Sequence, residues 1–196
     1  MKKILSCLLS ATLLLLLVVN AAWARSEFTL VGKIGMDGAG KIVSDIDSRE
    51  IEDESLSLSF EGLCNLNRRI SMGMGFELQE DQGYLGLPIV NGTLTSFNFT
   101  PIYGVIRCAV PLESRRVKMF CIGKIGVTDF DATTSLGSFD TRGGLYFGAG
   151  LGLLYRQAFL VELDYSVHNG AIKVLGDYYD VTYSKLTLAC GFNFNL

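Results

Sequence analysis

The stretch Leu186–Leu196, "LTLACGFNFNL", sets the reading of the whole chain. Leu186, Leu188, Cys190, Phe192, Phe194 and Leu196 share one side, and Thr187, Ala189, Gly191, Asn193 and Asn195 share the other. Side chains alternate across a β-strand, so this is a strand with one apolar face. That face must meet either a protein core or lipid.

Alternation recurs upstream. In "SLSLSFEG", Leu56, Leu58 and Phe60 oppose Ser55, Ser57, Ser59 and Glu61. In "ISMGMGFELQ", Ile70, Met72, Met74, Phe76 and Leu78 oppose Ser71, Gly73, Gly75, Glu77 and Gln79. In "LYFGAGLGLLY", the alternate positions from Tyr146 are Gly148, Gly150, Gly152 and Leu154. "FLVELDYSV" sets Glu162, Asp164 and Ser166 against Phe159, Val161, Leu163, Tyr165 and Val167. Together these predict strands at about 27–37, 52–63, 68–79, 95–110, 116–128, 143–155, 158–168 and 182–196. Each is near the ~9–11 residues a tilted strand needs to cross a bilayer. No long apolar run follows Ala24, which argues against a membrane-spanning helix.

The links sort by length. "CNLNR", "PLESR" and "RQ" are tight, whereas "GAGKIVSDIDSREIE", "EDQGYLGLPIVNGT", "DATTSLGSFDTR" and "NGAIKVLGDYYD" are long and polar. Short turns on one side and long loops on the other are the plan of a transmembrane β-barrel. The charges lie on the small-residue face, which predicts a narrow polar lumen rather than the apolar interior of a soluble barrel. Lys33, Glu61, Glu77, Lys118, Lys124, Glu162, Asp164 and Lys185 are expected to point into it as a charge network, with Glu162 mid-strand and Ser166 and His168 nearer the loop rim. Phe120 and Ile122 fall on the lumen face too. Pro101 predicts a bulge, because it removes a ladder donor, and that leaves the side taken by Arg107 open.

The first residues, "MKKILSCLLSATLLLLLVVNAAWA", combine basic Lys2 and Lys3, a short apolar run and the box Ala22-Trp23-Ala24. This predicts a cleaved secretory signal over residues 1–24 and a barrel domain over 25–196. Cleavage removes two lysines and no acid, taking the formal charge from -3 to about -5. No basic patch points to nucleic acid.

With these features the chain resembles the small bacterial outer membrane β-barrel family, the eight-stranded OmpA-like, OmpX-like and opacity-like proteins. "GLYFGAGLGLLYRQAFLVELDYS" is similar to that family's penultimate hairpin, and the terminal strand is similar to its closing strand. The resemblance implies an all-β, up-and-down antiparallel barrel of eight strands in the bacterial outer membrane. It implies that Phe192, Phe194 and Leu196 form the signal read by the barrel-assembly machinery, with Leu196 standing where the family usually has an aromatic residue. It implies outer membrane lipid and lipopolysaccharide as surroundings, and an extracellular partner reached through the long loops. Family members include tethers, adhesins and lipid A enzymes, and fold does not choose among them.

Candidate chemistry is sparse. Asp164, Ser166 and His168 share one face and invite comparison with a Ser-His-Asp triad, and "SVHN" faintly resembles the lipid A deacylases with the order reversed. A polar lumen column accounts for the same pattern. "GAGLG" lies within a strand and "GMDGAGK" opens no helix, so neither is a phosphate loop. "DIDSREIEDE" has Glu50 where a calcium loop needs glycine, which favours a solvated acidic loop. No cofactor or metal is expected. Four cysteines remain beyond the signal: Cys64, Cys108, Cys121 and Cys190. A turn near 112–113 sets Cys108 and Cys121 about four residues out of register, roughly 13 Å apart, so free apolar thiols are expected. The expected role is structural or surface-interacting, without catalysis and without an open pore. A lipid A-modifying enzyme and a soluble periplasmic ligand-binding barrel are the alternatives.

Overall fold

The computed structural model describes residues 28–44, 48–51, 54–81, 87–89, 92–112, 114, 116–134, 137–138, 140–174 and 177–196. The expected signal, residues 1–24, and Asp45–Asp47, Glu52 and Asp53 of the acidic loop lie outside them. All the regular structure described is strand. Eight long strands build the wall: β1 (Phe28–Ser44), β3 (Ser55–Asn65), β4 (Ile70–Gln79), β6 (Gly92–Val110), β7 (Val117–Thr134), β9 (Thr141–Tyr155), β10 (Phe159–Val174) and β11 (Asp177–Asn195). Three short strands, β2 (Ser48–Ile51), β5 (Leu87–Ile89) and β8 (Gly137–Ser138), pair onto β1, β6 and β7.

Successive long strands pair antiparallel, and β1 pairs with β11 from Thr29↔Asn195 to Ser44↔Val181. The sheet therefore closes into a ring: β1-β3-β4-β6-β7-β9-β10-β11-β1. Closure gives every long strand a partner on both sides, as lipid exposure demands. Leu58, Phe60, Met74, Phe76, Ile125, Phe147, Leu188 and Phe192 all face outward and exposed, while Lys33, Glu61, Glu162 and Lys185 are buried. An apolar exterior around a charged interior is the inverse of a soluble barrel and fits a wall bathed in lipid. This removes the soluble-barrel alternative.

Most strands run further toward the long-loop end than the sequence pattern predicts. β7 continues to Thr134 and β10 to Val174, while β3 and β4 stop after 11 and 10 residues. The wall is uneven, tall at β6–β7 and β10–β11–β1 and low at β3–β4. The tight link Tyr155–Ala158 closes with Ala158 N–H donating to Tyr155 O at 3.1 Å, and Arg156 and Gln157 both take positive φ, 50° and 62°. Positive φ at two central residues is the hairpin geometry that follows strand twist.

Two register expectations are corrected. Pro101 makes no bulge: Thr100, Pro101 and Ile102 pair in unbroken succession with Asp129, Thr128 and Val127. The β4–β6 ladder instead ends at Phe76↔Ile102, so Pro101 sits just past the point where that side needs its N–H. Asn98 Nδ2 then reaches back to Gln79 O at 2.6 Å. The irregularities fall at Asp37/Gly40, Leu94/Ser96 and His168/Gly170. Second, Cys108 and Cys121 stand directly opposite each other, not four residues apart. The β6–β7 ladder ends at Val110↔Met119, so its turn is centred between residues 114 and 115, about two residues beyond where the sequence places it.

Candidate functional site

The lumen is the candidate site, and β10 gives its layers in order. From the tight-turn end its inward residues are Leu160, Glu162, Asp164, Ser166, His168, Gly170 and Ile172, all buried. The sequence therefore builds a stack: apolar, anionic, polar, aromatic, apolar.

The lower charge layer is a closed ring. Lys33 Nζ on β1 lies 2.6 Å from Glu61 Oε1 on β3 and 2.6 Å from Glu162 Oε2 on β10. Arg107 Nη2 on β6 lies 2.5 Å from Glu61 Oε2 and 2.6 Å from Glu162 Oε1. The Arg107–Glu162 contact is an ion pair without hydrogen-bond alignment at Oε1. Tyr103 Oη donates to Glu61 Oε1 at 3.1 Å. Lys124 Nζ on β7 pairs with Asp164 Oδ2 at 2.8 Å and stands over the Tyr103 ring. Three cations, Lys33, Arg107 and Lys124, thus face three anions, Glu61, Glu162 and Asp164. Pairing of this kind is what makes buried charge tolerable.

A second cluster lies toward the long-loop side. Lys185 Nζ is 2.7 Å from both Asp37 Oδ2 and Glu77 Oε1. Thr187, Ser55 and Ser57 hydroxyls donate to Asp37 at 2.7, 3.3 and 3.3 Å. Above it the bore fills with Ile42, Phe97, Phe99, Phe130, Ala132, Ile172, Val181 and Tyr183. Phe99 stacks on Phe130 at 4.4 Å, and Phe97 meets Tyr183 edge-on at 5.1 Å. A lower apolar cluster, with Val31, Leu63, Val105, Phe120, Ile122 and Leu160, floors the charge ring. The charges lie between two apolar layers, with Arg107 bordering the mouth at the tight-turn end.

Glycine makes the room. Gly150 and Gly152 face inward on β9, where a Cβ would overlap the Asp164 carboxylate and the Phe120 ring respectively. Phe120 in turn lies under the Arg107 guanidinium, 5.0 Å from its ring centre.

Of the eight expected network residues, seven are buried and paired as described. Lys118 is the exception. It shares the inward phase of Phe120, but it is exposed in the mouth at the tight-turn end. A cavity of about 710 Å³ opens there, lined by Arg68, Arg69, Arg107, Lys118, Asn65 and Gln157 among others. Lys118 is only the second residue of β7, too close to the end to reach the ring. Arg107 is the member left open by the sequence. Its phase is legible once Pro101 is seen to carry no bulge: Phe99, Pro101, Tyr103, Val105 and Arg107 are all buried on one face.

Glu162 lies in the first turn-side quarter of β10, not mid-strand, yet is 0% exposed because the apolar floor covers it. His168 is also 0% exposed and sits mid-lumen rather than at the rim, because β10 continues six residues beyond it. Ser166 Oγ and His168 Nε2 are 3.1 Å apart, but Asp164 is engaged by Lys124. His168 Nδ1 has no hydrogen-bond partner among the described residues. Tyr146, Phe99 and Tyr183 rings surround the imidazole at 4.9, 5.3 and 5.8 Å. An orienting acid on the second ring nitrogen is what a triad requires, and the geometry lacks it. Phe192, Phe194 and Leu196 are exposed on the outer wall at the tight-turn end.

No family model matches the chain, and no curated protein matches it in sequence. Solved structures do. The chain is similar to Ail, the attachment invasion locus protein of Yersinia pestis, with TM-score 0.54 and 12% identity over 87% of this chain and 100% of that one. It is similar to neisserial surface protein A, with TM-score 0.55 and 11% identity over 85% and 97%. It is similar to AlkL as determined in lipid bilayers, with TM-score 0.51 and 12% identity over 88% and 92%. Closed ring, lipid-facing wall and these likenesses agree: the chain has the fold of the small outer membrane β-barrels.

Proposed function

We propose that the chain is an integral outer membrane barrel that conducts nothing through its bore and acts at its long-loop end, as a surface-interaction protein. The observation that supports this best is the filled lumen. Among the described residues, Phe97, Phe99, Phe130 and Tyr183 plug the bore toward the long-loop end above paired charges, and Ser166 and His168 are buried. The strands that rise furthest, β6–β7 and β10–β11–β1, carry exposed polar and charged residues at that end, among them Asp129, Asp131, Asp177 and Asp180. The residues exposed at the tight-turn end include Arg68, Arg69, Arg116, Lys118 and Arg156. Among the described residues the long-loop end exposes more acids than bases, Lys41 and Arg142 being among the bases, and the tight-turn end is basic. Ail, an attachment invasion protein, and neisserial surface protein A lend the surface role its precedent, and Ail has also been crystallised with the heparin analogue sucrose octasulfate. Phe192, Phe194 and Leu196 are read as the assembly signal, and lipopolysaccharide as the outer-leaflet neighbour.

Expression of the full chain in a Gram-negative host tests this. The protein should stay in the outer membrane pellet through carbonate and high salt, migrate faster unboiled than boiled, and give no stable conductance in planar bilayers. Replacing the long links should abolish binding to host cells or matrix without changing the unboiled mobility. Carbonate extraction, a stable channel, or binding that survives loss of every long link would refute it.

A further inference from the structure

Cys108 on β6 and Cys121 on β7 are direct cross-strand partners, with Arg107↔Ile122 and Ala109↔Phe120 on either side of them. Both thiols are free and exposed on the outer wall. Facing residues of an antiparallel pair have Cα atoms about 4.5 or 5.5 Å apart, according to their place in the ladder, and both values fall within the disulfide range of about 4.4–6.8 Å. Side chains of facing residues also emerge on the same side, which is the placement a disulfide requires. The pair lies two residues from the end of β6, about 7 Å at ~3.3 Å per residue, and so close to the aqueous boundary on the tight-turn side. Cys64 and Cys190 pair with Phe28 and Met72, and with Ile34 and Val161, so neither faces another cysteine.

From this geometry we infer that Cys108 and Cys121 are a modification site: a cross-strand disulfide that staples the β6–β7 hairpin on its lipid-facing side. The chemistry is thiol–disulfide exchange with an oxidised protein disulfide of the envelope compartment. One cysteine thiolate attacks a sulfur of that disulfide, forming a mixed disulfide and releasing one thiolate. The second cysteine thiolate then attacks the first cysteine's own Sγ in the mixed disulfide, which forms the Cys108–Cys121 bond and releases the oxidant's other sulfur as a thiolate. Two electrons pass from the cysteine pair to the oxidant, whose two sulfurs leave as thiols with the two protons. The inference rests on the envelope location only for its oxidant, since such bonds persist in oxidising compartments.

The experiment uses the mature barrel carrying C64A and C190A, refolded in detergent micelles and equilibrated in glutathione buffers of graded potential. Alkylation and intact mass then give the oxidised fraction. The folded barrel should form the bond with an equilibrium constant at least tenfold above that of the same chain in urea, because the fold holds the partners face to face. A register control carries I106C and C108A in the same background. It moves the first thiol two residues along the same face, to a diagonal distance of about 7–8 Å, and should stay reduced when folded. Folded protein that stays reduced, or a control that oxidises as readily, overturns the inference. Fractionation of the cells, run separately, shows whether the envelope location holds, so a failure of location and a failure of geometry are told apart.

Discussion

Replacing Glu162 by glutamine removes one charge from the lower ring and almost no volume. The ring passes from three cations facing three anions to three facing two. Lys33 and Arg107 each lose a 2.6 Å partner, in a layer where Glu162 is 0% exposed. Removing one side of a buried ion pair costs about 3–5 kcal/mol, because the remaining charge is uncompensated. The glutamine oxygen can keep one hydrogen bond from Lys33, which places the expected loss near the lower bound, about 3 kcal/mol. With a urea slope of about 1–3 kcal/mol/M, the midpoint should fall by roughly 1–3 M. The assay is urea titration of the mature barrel in detergent, followed by far-UV circular dichroism and unboiled gel mobility. Tryptophan fluorescence is of no use, since the one tryptophan, Trp23, lies in the expected signal. Adding K33M to E162Q restores a balance of two cations and two anions, so the double variant should recover part of the loss. A single variant as stable as wild type, or a double variant less stable than E162Q, would show that the ring is not a compensated unit.

Three further outcomes are expected. H168F should stay within about 1.5 kcal/mol of wild type, since a ring of similar shape fills the aromatic layer, whereas H168A should lose about 3–5 kcal/mol. Unchanged lipid A mass spectra in both would agree with a packing role, and loss of a lipid A modification in H168F would contradict it. G152L drives a side chain into the Phe120 ring and should lower the urea midpoint by an amount matching about 1–3 kcal/mol of overpacking; an unshifted midpoint would mean the floor is looser than it looks. Deleting residues 191–196 removes the partners of Thr29–Lys33 on β1 and of Phe159 and Leu160 on β10, so the unboiled compact band should disappear. Its persistence would show that the last six residues are dispensable for closure.

The strand count, the ring and the inward phase of β3, β4, β9, β10 and β11 were legible in the sequence. Alternation is local, and a wall with lipid outside and charge inside forces it at nearly every residue. What could not be read is what depends on the neighbouring strand. Cys108 and Cys121 are in register because the turn is centred beyond residue 113, and link geometry fixes register, not side-chain pattern. Pro101 reads as a bulge in isolation, but it is harmless where the β4–β6 ladder stops, and only the partner strand reveals that. Lys118 and Lys124 share a phase and look equivalent, yet one is exposed at a mouth and the other pairs with Asp164. Strand ends decided that difference. The same holds for His168, displaced from rim to mid-lumen by the six further residues of β10.

The layered bore links these pieces. An unpaired charge in a narrow interior is costly, and an eight-stranded barrel has no width to hydrate one freely. The chain meets this with the glycine column of β9: Gly148 lies beside Lys124, Gly150 makes room for Asp164 and Gly152 for Phe120. Because Phe120 also underlies Arg107, the floor, the ring and the glycines form one packed unit. Change in any of them should be felt as loss of stability before it is felt as a new pore. On the proposed reading, contacts made by the long loops change without disturbing the packed lumen, which suits a surface-interaction protein better than a channel.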